Sequence, residues 1–221
     1  MKKSLYHLWK ENKSLLLFVS LMLVFRSAVA DWNDVPTGSM KPTIVEGDRI
    51  LINKMAYDLR LPFSQYSLIT LAEPLRNDIV IFESDVADKR LVKRIIGIPG
   101  DTVALHNNQL VINQKSAQYT LIAKNRDFTL SEEYIGGNSH LIRTQLKPGH
   151  SKNYQLESFQ AITIPKDYYL VMGDNRDNSA DSRVIGLVPR NEIIGRSNMV
   201  VFSLNYKNYL MPRNERFFKV I

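Results

Sequence analysis

The segment LVKRIIGIPGD, residues 91–101, joins an aliphatic run to a sharp turn. The run is typical of a β-strand, and the turn has proline at its second and glycine at its third position, as type II geometry prefers. Because side chains alternate along a strand, Lys93 shares one face with Leu91 and Ile95. The segment therefore predicts a strand that carries a lysine among aliphatic side chains and ends in a tight turn.

A lysine in such surroundings can be chemically active. Burial disfavours the charged amine and can lower the pKa of a lysine by about 3–5, which is enough to bring it to neutral pH. A neutral Lys93 amine could then accept a proton from a serine hydroxyl, the task of histidine in the commoner triad. On its own, the segment favours the plainer alternative, a surface strand in which Lys93 and Arg94 are solvated.

The same strand pattern recurs along the chain. Short runs rich in Val, Ile and aromatic residues are separated by turn residues, whereas long amphipathic helical periods are scarce. The predicted strands are 49–55, 79–82, 91–98, 102–105, 109–112, 168–172 and 197–204. They predict a mainly β fold built of antiparallel sheets. Residues 103–163 are polar and irregular and lie between the parts that carry motifs, which indicates an inserted subdomain.

The N-terminal region places an apolar segment after several lysines. Residues 14–25, SLLLFVSLMLVF, are uncharged, but this run is shorter than the roughly 20 residues that an untilted membrane helix needs. With Arg26 reaching the interface and Trp32 in the headgroup belt, we predict a transmembrane anchor over 14–32 and a cytoplasmic segment over 1–13. A cleavable secretory signal ending in Ala-Val-Ala fits the same pattern. Both alternatives export the rest of the chain.

Composition excludes several kinds of site. The chain has 221 residues, of which 44% are hydrophobic and 23% charged, as in ordinary globular proteins, and a formal net charge of +7. It has no cysteine, which excludes disulfides, thiolate zinc sites and cysteine nucleophiles. Its four histidines form no HExxH or other close metal-ligand pair, and no basic cluster is interleaved with aromatic residues. We therefore predict no metal, no cofactor and no nucleic-acid partner.

Two further motifs carry candidate chemistry. In PTGSMKPT, residues 36–43, glycine and proline bracket Ser39, which suits a serine on a loop whose N–H groups can bind an oxyanion. An ordinary turn is the commoner use of such a motif. The second motif, GDNRDNSADSR at 173–183, follows an apolar strand, and its Asp and Arg residues could brace a loop. It does not fit a calcium loop, because Ser182 and Val188 stand where glycine and glutamate are required.

Together, these segments resemble the bacterial type I signal peptidases. The motifs follow the family's order, with SMKPT at 39–43, GD at 47–48, KRIIGIPGD at 93–101 and GDNRDNSADSR at 173–183. The resemblance implies a membrane-bound serine endopeptidase that removes signal peptides from exported preproteins. It also implies a β catalytic core over 33–102 and 164–221 and an inserted β subdomain over 103–163. The chain departs from the enteric members in having one hydrophobic segment instead of two, and its insertion is compact.

The resemblance also implies roles for individual residues. Ser39 is similar to the acylating nucleophile of the family, Lys93 to the general base, and Ser179 to the serine that orients the lysine amine. The Ser39 amide and the Thr37 hydroxyl would form the oxyanion hole, at a position where many relatives have serine. Asp181 and Arg183 resemble a supporting ion pair.

A substrate pocket and a cellular location follow from the same resemblance. The residues similar to the lining of two shallow pockets for small P1 and P3 side chains, hence for Ala-x-Ala, are Val35, Met40, Ile44 and Val92. The expected location is the bacterial inner (plasma) membrane, which a single helix would cross, with the catalytic domain on the extracytoplasmic side. The expected partners are exported preproteins and the phospholipid bilayer.

Other functions fit parts of the pattern. A pilin- or conjugation-type maturation peptidase has the same serine–lysine chemistry but serves one dedicated substrate, and the full motif at 173–183 argues against it. A self-cleaving repressor would carry a DNA-binding helical domain in place of the anchor. An inactive exported binding protein could keep the fold, but the intact Ser39, Lys93 and Ser179 argue against that alternative.

Overall fold

The computed structural model describes residues 2–64, 66–146 and 156–221, with side chains described from residue 12 onward. Two α-helices are present in these ranges, α1 (Lys2–Ala28) and α2 (Ser182–Ile185), with 3₁₀ turns at Lys54–Ala56, Arg176–Asn178, Arg190–Glu192 and Asn214–Arg216. The strands are β1 (Ala30–Asp34), β2 (Asp48–Asn53), β3 (Asp58–Arg60), β4 (Ser67–Thr70), β5 (Ile79–Ser84), β6 (Lys89–Gly97), β7 (Thr102–His106), β8 (Gln109–Ile112), β9 (Lys115–Ser116), β10 (Gln118–Lys124), β11 (Phe128–Ile135), β12 (Asn138–Gln145), β13 (Phe159–Thr163), β14 (Tyr168–Met172), β15 (Val188–Pro189), β16 (Ile193–Ser197), β17 (Met199–Asn205), β18 (Met211–Pro212) and β19 (Lys219–Val220).

A large sheet forms the body of the molecule. Its strands follow the order β15-β14-β6-β5-β16-β2-β17-β18, with β1 added beside β2 and β19 beside β17. Neighbouring strands run antiparallel, for example β5 and β6, where Val80 lies opposite Lys93, and β6 and β14, where Ile95 lies opposite Val171. The prediction of a mainly β, antiparallel fold is confirmed.

Strand β6 lies in the interior of this sheet. From Lys93 to Gly97 every residue is buried, because apolar side chains cover both faces of the strand. Lys93 is 2% exposed and Arg94 5% exposed, so the alternative of a solvated surface strand is wrong for both residues. The predicted turn after the strand is present: Gly100 has φ +87° and the Asp101 N–H donates to the Ile98 carbonyl at 3.0 Å.

Smaller sheets lie within the predicted insertion and beside it. β10, β11 and β12 form one three-stranded sheet, and β13, β7, β8 and β9 form another of four strands. Residues 103–163 thus contain β8 to β13 and most of β7, so this part of the chain is more regular than its sequence indicates. Its assignment as a subdomain separate from the core 33–102 and 164–221 stays a prediction.

The N-terminal helix ends earlier than the predicted anchor. α1 stops at Ala28 and β1 begins at Ala30, so the extension of a helix to Trp32 is wrong. The Lys54 Nζ explains the stop, since it donates to the carbonyls of Arg26 and Ser27 at 2.9 and 3.2 Å and caps the helix end. Within the part of the chain whose placement is described, no helix has the length and hydropathy to span a bilayer. Most of the predicted cytoplasmic segment 1–13 lies outside the described side chains.

Candidate active site

Lys93 and Ser39 meet although they are far apart in the sequence. The Lys93 Nζ donates to Ser39 Oγ at 2.9 Å and to the Val92 carbonyl oxygen at 3.0 Å. Strand β6 holds the lysine, and the loop between β1 and β2 holds the serine. The hydroxyl and the amine are therefore within proton-transfer distance.

The surroundings of Lys93 favour its neutral form. Burial lowers the pKa of Lys93 from 10.5 to about 8, because the charged amine loses its hydration. The carboxylates of Asp181 and Asp174 act in the opposite direction and limit this decrease, while the positive charge of Lys89 adds to it. A substantial fraction of Lys93 is consequently neutral near pH 8.

The loop that carries Ser39 is held by two hydrogen bonds from Asn175 in the loop at 173–183. The Asn175 N–H donates to the Ser39 carbonyl at 3.0 Å, and the Asn175 side chain donates to the Gly38 carbonyl at 2.8 Å. The two loops approach closely at Gly173, where a Cβ would lie 2.3 Å from Ser179 Oγ and 2.5 Å from the Ser39 carbonyl oxygen. Only glycine fits at this position, which explains the first residue of the GDNR motif.

Ser179 lies close to the serine loop, but its hydroxyl makes no hydrogen bond to Lys93. It is 7% exposed, and its Oγ meets no hydrogen-bond partner of good geometry among the described residues. It nevertheless lies close enough to Asp181 to help lower the pKa of that carboxyl. The orienting role of Ser179 stays a prediction.

The predicted oxyanion donors make no hydrogen bonds within the described part of the structure. Thr37 is exposed, and neither its hydroxyl nor the Ser39 N–H makes a hydrogen bond with any described residue. Donors free to turn toward a substrate oxygen are what an oxyanion hole requires. The assignment of this role to Thr37 and Ser39 stays a prediction.

The four predicted pocket residues belong to one apolar cluster under the serine loop. Val35, Met40 and Ile44 are 4%, 1% and 0% exposed, and Val92 packs against them with part of its side chain accessible. The structure therefore brings these residues together next to Ser39. Their contact with substrate side chains stays a prediction.

Asp181 and Arg183 form a buried ion pair close to Ser179. Arg183 donates to both oxygens of Asp181 at 2.8 Å, and Asp181 also accepts the Gly173 N–H at 2.9 Å. Burial alone would raise the pKa of Asp181, but these hydrogen bonds and the Arg183 charge lower it. The carboxylate thus stays ionised and fixes the start of the loop, which fits the predicted supporting role.

Sequence reasoning missed a second ion pair behind the site. Arg94 donates to the two oxygens of the buried Asp174 at 2.9 and 2.8 Å, and Thr43 Oγ1 donates to the same carboxylate at 2.5 Å. This pair ties strand β6, the 173–183 loop and the serine loop together. Two features of the sequence could have indicated this pair. Arg94 follows Lys93 on an apolar strand, and Asp174 lies in the second motif.

The chain also closes on the serine loop from its C-terminal part. The Arg216 guanidinium donates to the buried Asp48 carboxylate at 2.9 and 2.6 Å and to the Thr43 carbonyl at 2.9 Å. Arg213 adds a hydrogen bond to the Glu46 carbonyl at 2.9 Å. We call the segment that contains both arginines, 211–216, the C-terminal strap. No motif at the sequence level marks it.

Comparison with known proteins adds to this geometry. The family model described as "Signal peptidase, peptidase S26" matches residues 8–202. The chain is 35% identical over 208 residues to a signal peptidase I of Pseudomonas aeruginosa, a match that covers 87% of this chain and 72% of that protein. It is 33% identical over 196 residues to a signal peptidase I of Bacillus amyloliquefaciens, covering 88% of this chain and 85% of the relative. The matched region includes Ser39, Lys93 and the loop at 173–183.

Proposed function

The chain belongs to the signal peptidase family, peptidase S26, and on that premise we propose that Ser39 and Lys93 carry its reaction. It is a serine endopeptidase, and its relatives identify the reaction as the removal of signal peptides from exported preproteins. One observation supports the proposal above the others: a buried lysine amine lies 2.9 Å from a serine hydroxyl. Such a pair supplies the nucleophile and its base in one contact.

The proposed reaction proceeds through an ester on Ser39. The neutral Lys93 amine takes the hydroxyl proton while Ser39 Oγ bonds to the scissile carbonyl carbon, and the Ser39 N–H and Thr37 hydroxyl bind the oxyanion. When the C–N bond breaks, the Lys93 ammonium returns its proton to the leaving amine. Lys93 then deprotonates a water molecule, which hydrolyses the ester and restores the Ser39 hydroxyl.

Substrate selection would follow from the apolar cluster beside the serine. Val92 is partly accessible and packs against the buried Val35, Met40 and Ile44, so the apolar surface that this cluster exposes is small. We propose that this surface accepts small side chains at P1 and P3 and so favours Ala-x-Ala, because larger side chains would require the packed core to open.

We further propose single-pass attachment to the inner membrane through α1, with the catalytic domain on the extracytoplasmic side. Large apolar side chains of α1 are exposed, among them Leu17 at 61%, Phe18 at 64% and Leu21 at 60%. Apolar surface of this kind on a helix is stable against lipid and unfavourable in water. The lysines that precede the apolar run favour a cytoplasmic N-terminus.

A cleavage assay tests the Ser39–Lys93 proposal. Purified protein is incubated with a preprotein whose leader ends in Ala-x-Ala, and the cut is mapped by mass spectrometry. We expect a cut after the second alanine, and a loss of at least about 10³-fold in rate for Ser39→Ala and for Lys93→Ala with circular dichroism unchanged. The matched control is Ser67→Ala, on the exposed strand β4, which should keep full activity. Full activity in either site variant would refute the mechanism.

A further inference from the structure

A buried ion pair connects the insertion to the loop that borders the active site. Arg176 and Glu133 are both 0% exposed. The Arg176 Nη1 donates to Glu133 Oε1 at 2.8 Å, and Nη2 donates to Oε2. Glu133 lies on β11 of the three-stranded sheet, whereas Arg176 opens the 3₁₀ turn that precedes Ser179. Neither residue contacts the Ser39 or Lys93 side chain.

The charges of this pair are fixed. Burial would raise the pKa of Glu133, but the charge and hydrogen bonds of Arg176, together with His140, lower it to about 2. The same carboxylate raises the pKa of Arg176 above its usual value. Both groups are therefore charged at neutral pH, and a buried pair of this geometry holds its two elements in one register.

Further bonds join the same two elements. The Asp177 carboxylate accepts from the Asn108 side chain at 2.8 Å and from the Gln145 N–H at 2.6 Å. The Arg143 N–H donates to the Asp174 carbonyl at 2.8 Å. The turn before β8 and strands β11 and β12 of the insertion thus contact the 173–183 loop along its first half.

Asn175 transmits this contact to the nucleophile. It precedes Arg176 directly, and its backbone and side chain bind the carbonyls of Ser39 and Gly38. Any shift of Arg176 therefore moves the groups that hold the serine loop. The side chains of the predicted pocket residues are packed into a buried cluster with Ile50 and Ile81, so a small shift of the Ser39 backbone should displace the hydroxyl more than the pocket.

We propose that Glu133 is a positioning residue: through Arg176 and Asn175 it fixes the Ser39 hydroxyl opposite the Lys93 amine, so that the insertion acts as a brace for the active site. The proposal rests on the function proposed above. It assigns a role to a part of the chain that contributes no group to the reaction itself.

The test compares variants of full-length protein by kcat, KM and melting temperature with one preprotein substrate. We expect Glu133→Gln to lower kcat by about 10- to 100-fold, since an error of about 1 Å in a reacting group has effects of this size. KM should stay within about twofold, because the pocket is not disturbed. Glu133→Asp, which keeps the charge, should recover most of kcat.

The matched control is Asp58→Asn. Asp58 is also buried and is paired with Arg190 at 3.0 Å and Arg60 at 3.2 Å, but it contacts neither loop of the active site. We expect this variant to have a lower melting temperature than wild type, with kcat within about twofold of the wild-type value. If Glu133→Gln does not fold, Arg176→Lys replaces it, since lysine keeps the charge but cannot form the paired hydrogen bonds.

Two results would overturn the proposal, and they are distinguishable. An inactive Ser39→Ala together with wild-type kcat in Glu133→Gln or Arg176→Lys would overturn the positioning role alone. An equal loss of kcat in Asp58→Asn would do the same, because a general loss of stability would then account for the effect. An active Ser39→Ala would overturn the proposed site and the positioning role with it.

Discussion

Replacing Lys93 by methionine should stabilise the protein at neutral pH while abolishing its activity. Methionine has a similar length and no charge, so the buried space around the side chain stays filled. Burial disfavours the charged amine in the folded protein and so lowers the pKa of Lys93. The substitution removes the free-energy cost of burying the charged amine on folding.

The size of the effect depends on pH with a definite sign. The decrease in the pKa of Lys93 from 10.5 to about 8 corresponds to about 3 kcal/mol of cost below pH 8, where both the folded and the unfolded chain hold the proton. Between pH 8 and 10.5 the unfolded chain still binds the proton and the folded chain does not, so the cost fades as pH rises. The hydrogen bonds that Lys93 makes to Ser39 and Val92 are worth about 1 kcal/mol each and are lost at every pH.

Lys93→Met should therefore be more stable than wild type by about 1 kcal/mol at pH 7 and less stable by about 1 kcal/mol at pH 10. Urea unfolding of both proteins at several pH values measures this difference. Lys115→Met, at an exposed position on β9, is the control and should show no such crossing. A difference in unfolding free energy that stays constant from pH 7 to 10 would refute the account of a desolvated amine.

Two other predictions concern the reaction and the membrane. With bond cleavage as the slow step, kcat/KM should rise about tenfold from pH 7 to pH 9 along one ionisation near the pKa of Lys93, about 8, and a flat profile would exclude a neutral lysine as the base. The protein should stay with membranes after an alkaline wash and keep its N-terminal segment, as read by N-terminal sequencing; a soluble chain that begins at Asp31 would instead identify a cleaved leader.

The buried strands could be predicted closely, while the exposed ones could not. β8 and β14 have the predicted bounds 109–112 and 168–172, because each is an aliphatic run ended by turn residues. β10 to β12 were missed, since their sheet is accessible on much of its surface and its apolar residues show no alternation; Leu121 and Ile122 are 60% and 52% exposed. The predicted strand 197–204 corresponds to β17, which begins two residues later, at Met199; Ser197 ends β16, and no glycine or proline marks the break at residue 198.

The residues of the site were predicted from motifs, but of the ion pairs that support them only Asp181–Arg183 was. Ser39, Lys93 and the loop at 173–183 lie in short conspicuous segments, so the sequence names them. Glu133 and Arg216 lie in segments without a motif. Their roles depend on ion pairs with residues far away in the chain. Such long-range pairs leave no local pattern that a single sequence can show.

The C-terminal strap imposes an order on the folding of the enzyme during its synthesis. Arg216 follows Thr43, whose carbonyl it binds, by 173 residues. During translation the serine loop emerges first. The Asp48 carboxylate then lacks its partner, the Arg216 guanidinium. Hydrolytic competence should thus be delayed until Arg216 has been synthesised and has left the ribosome.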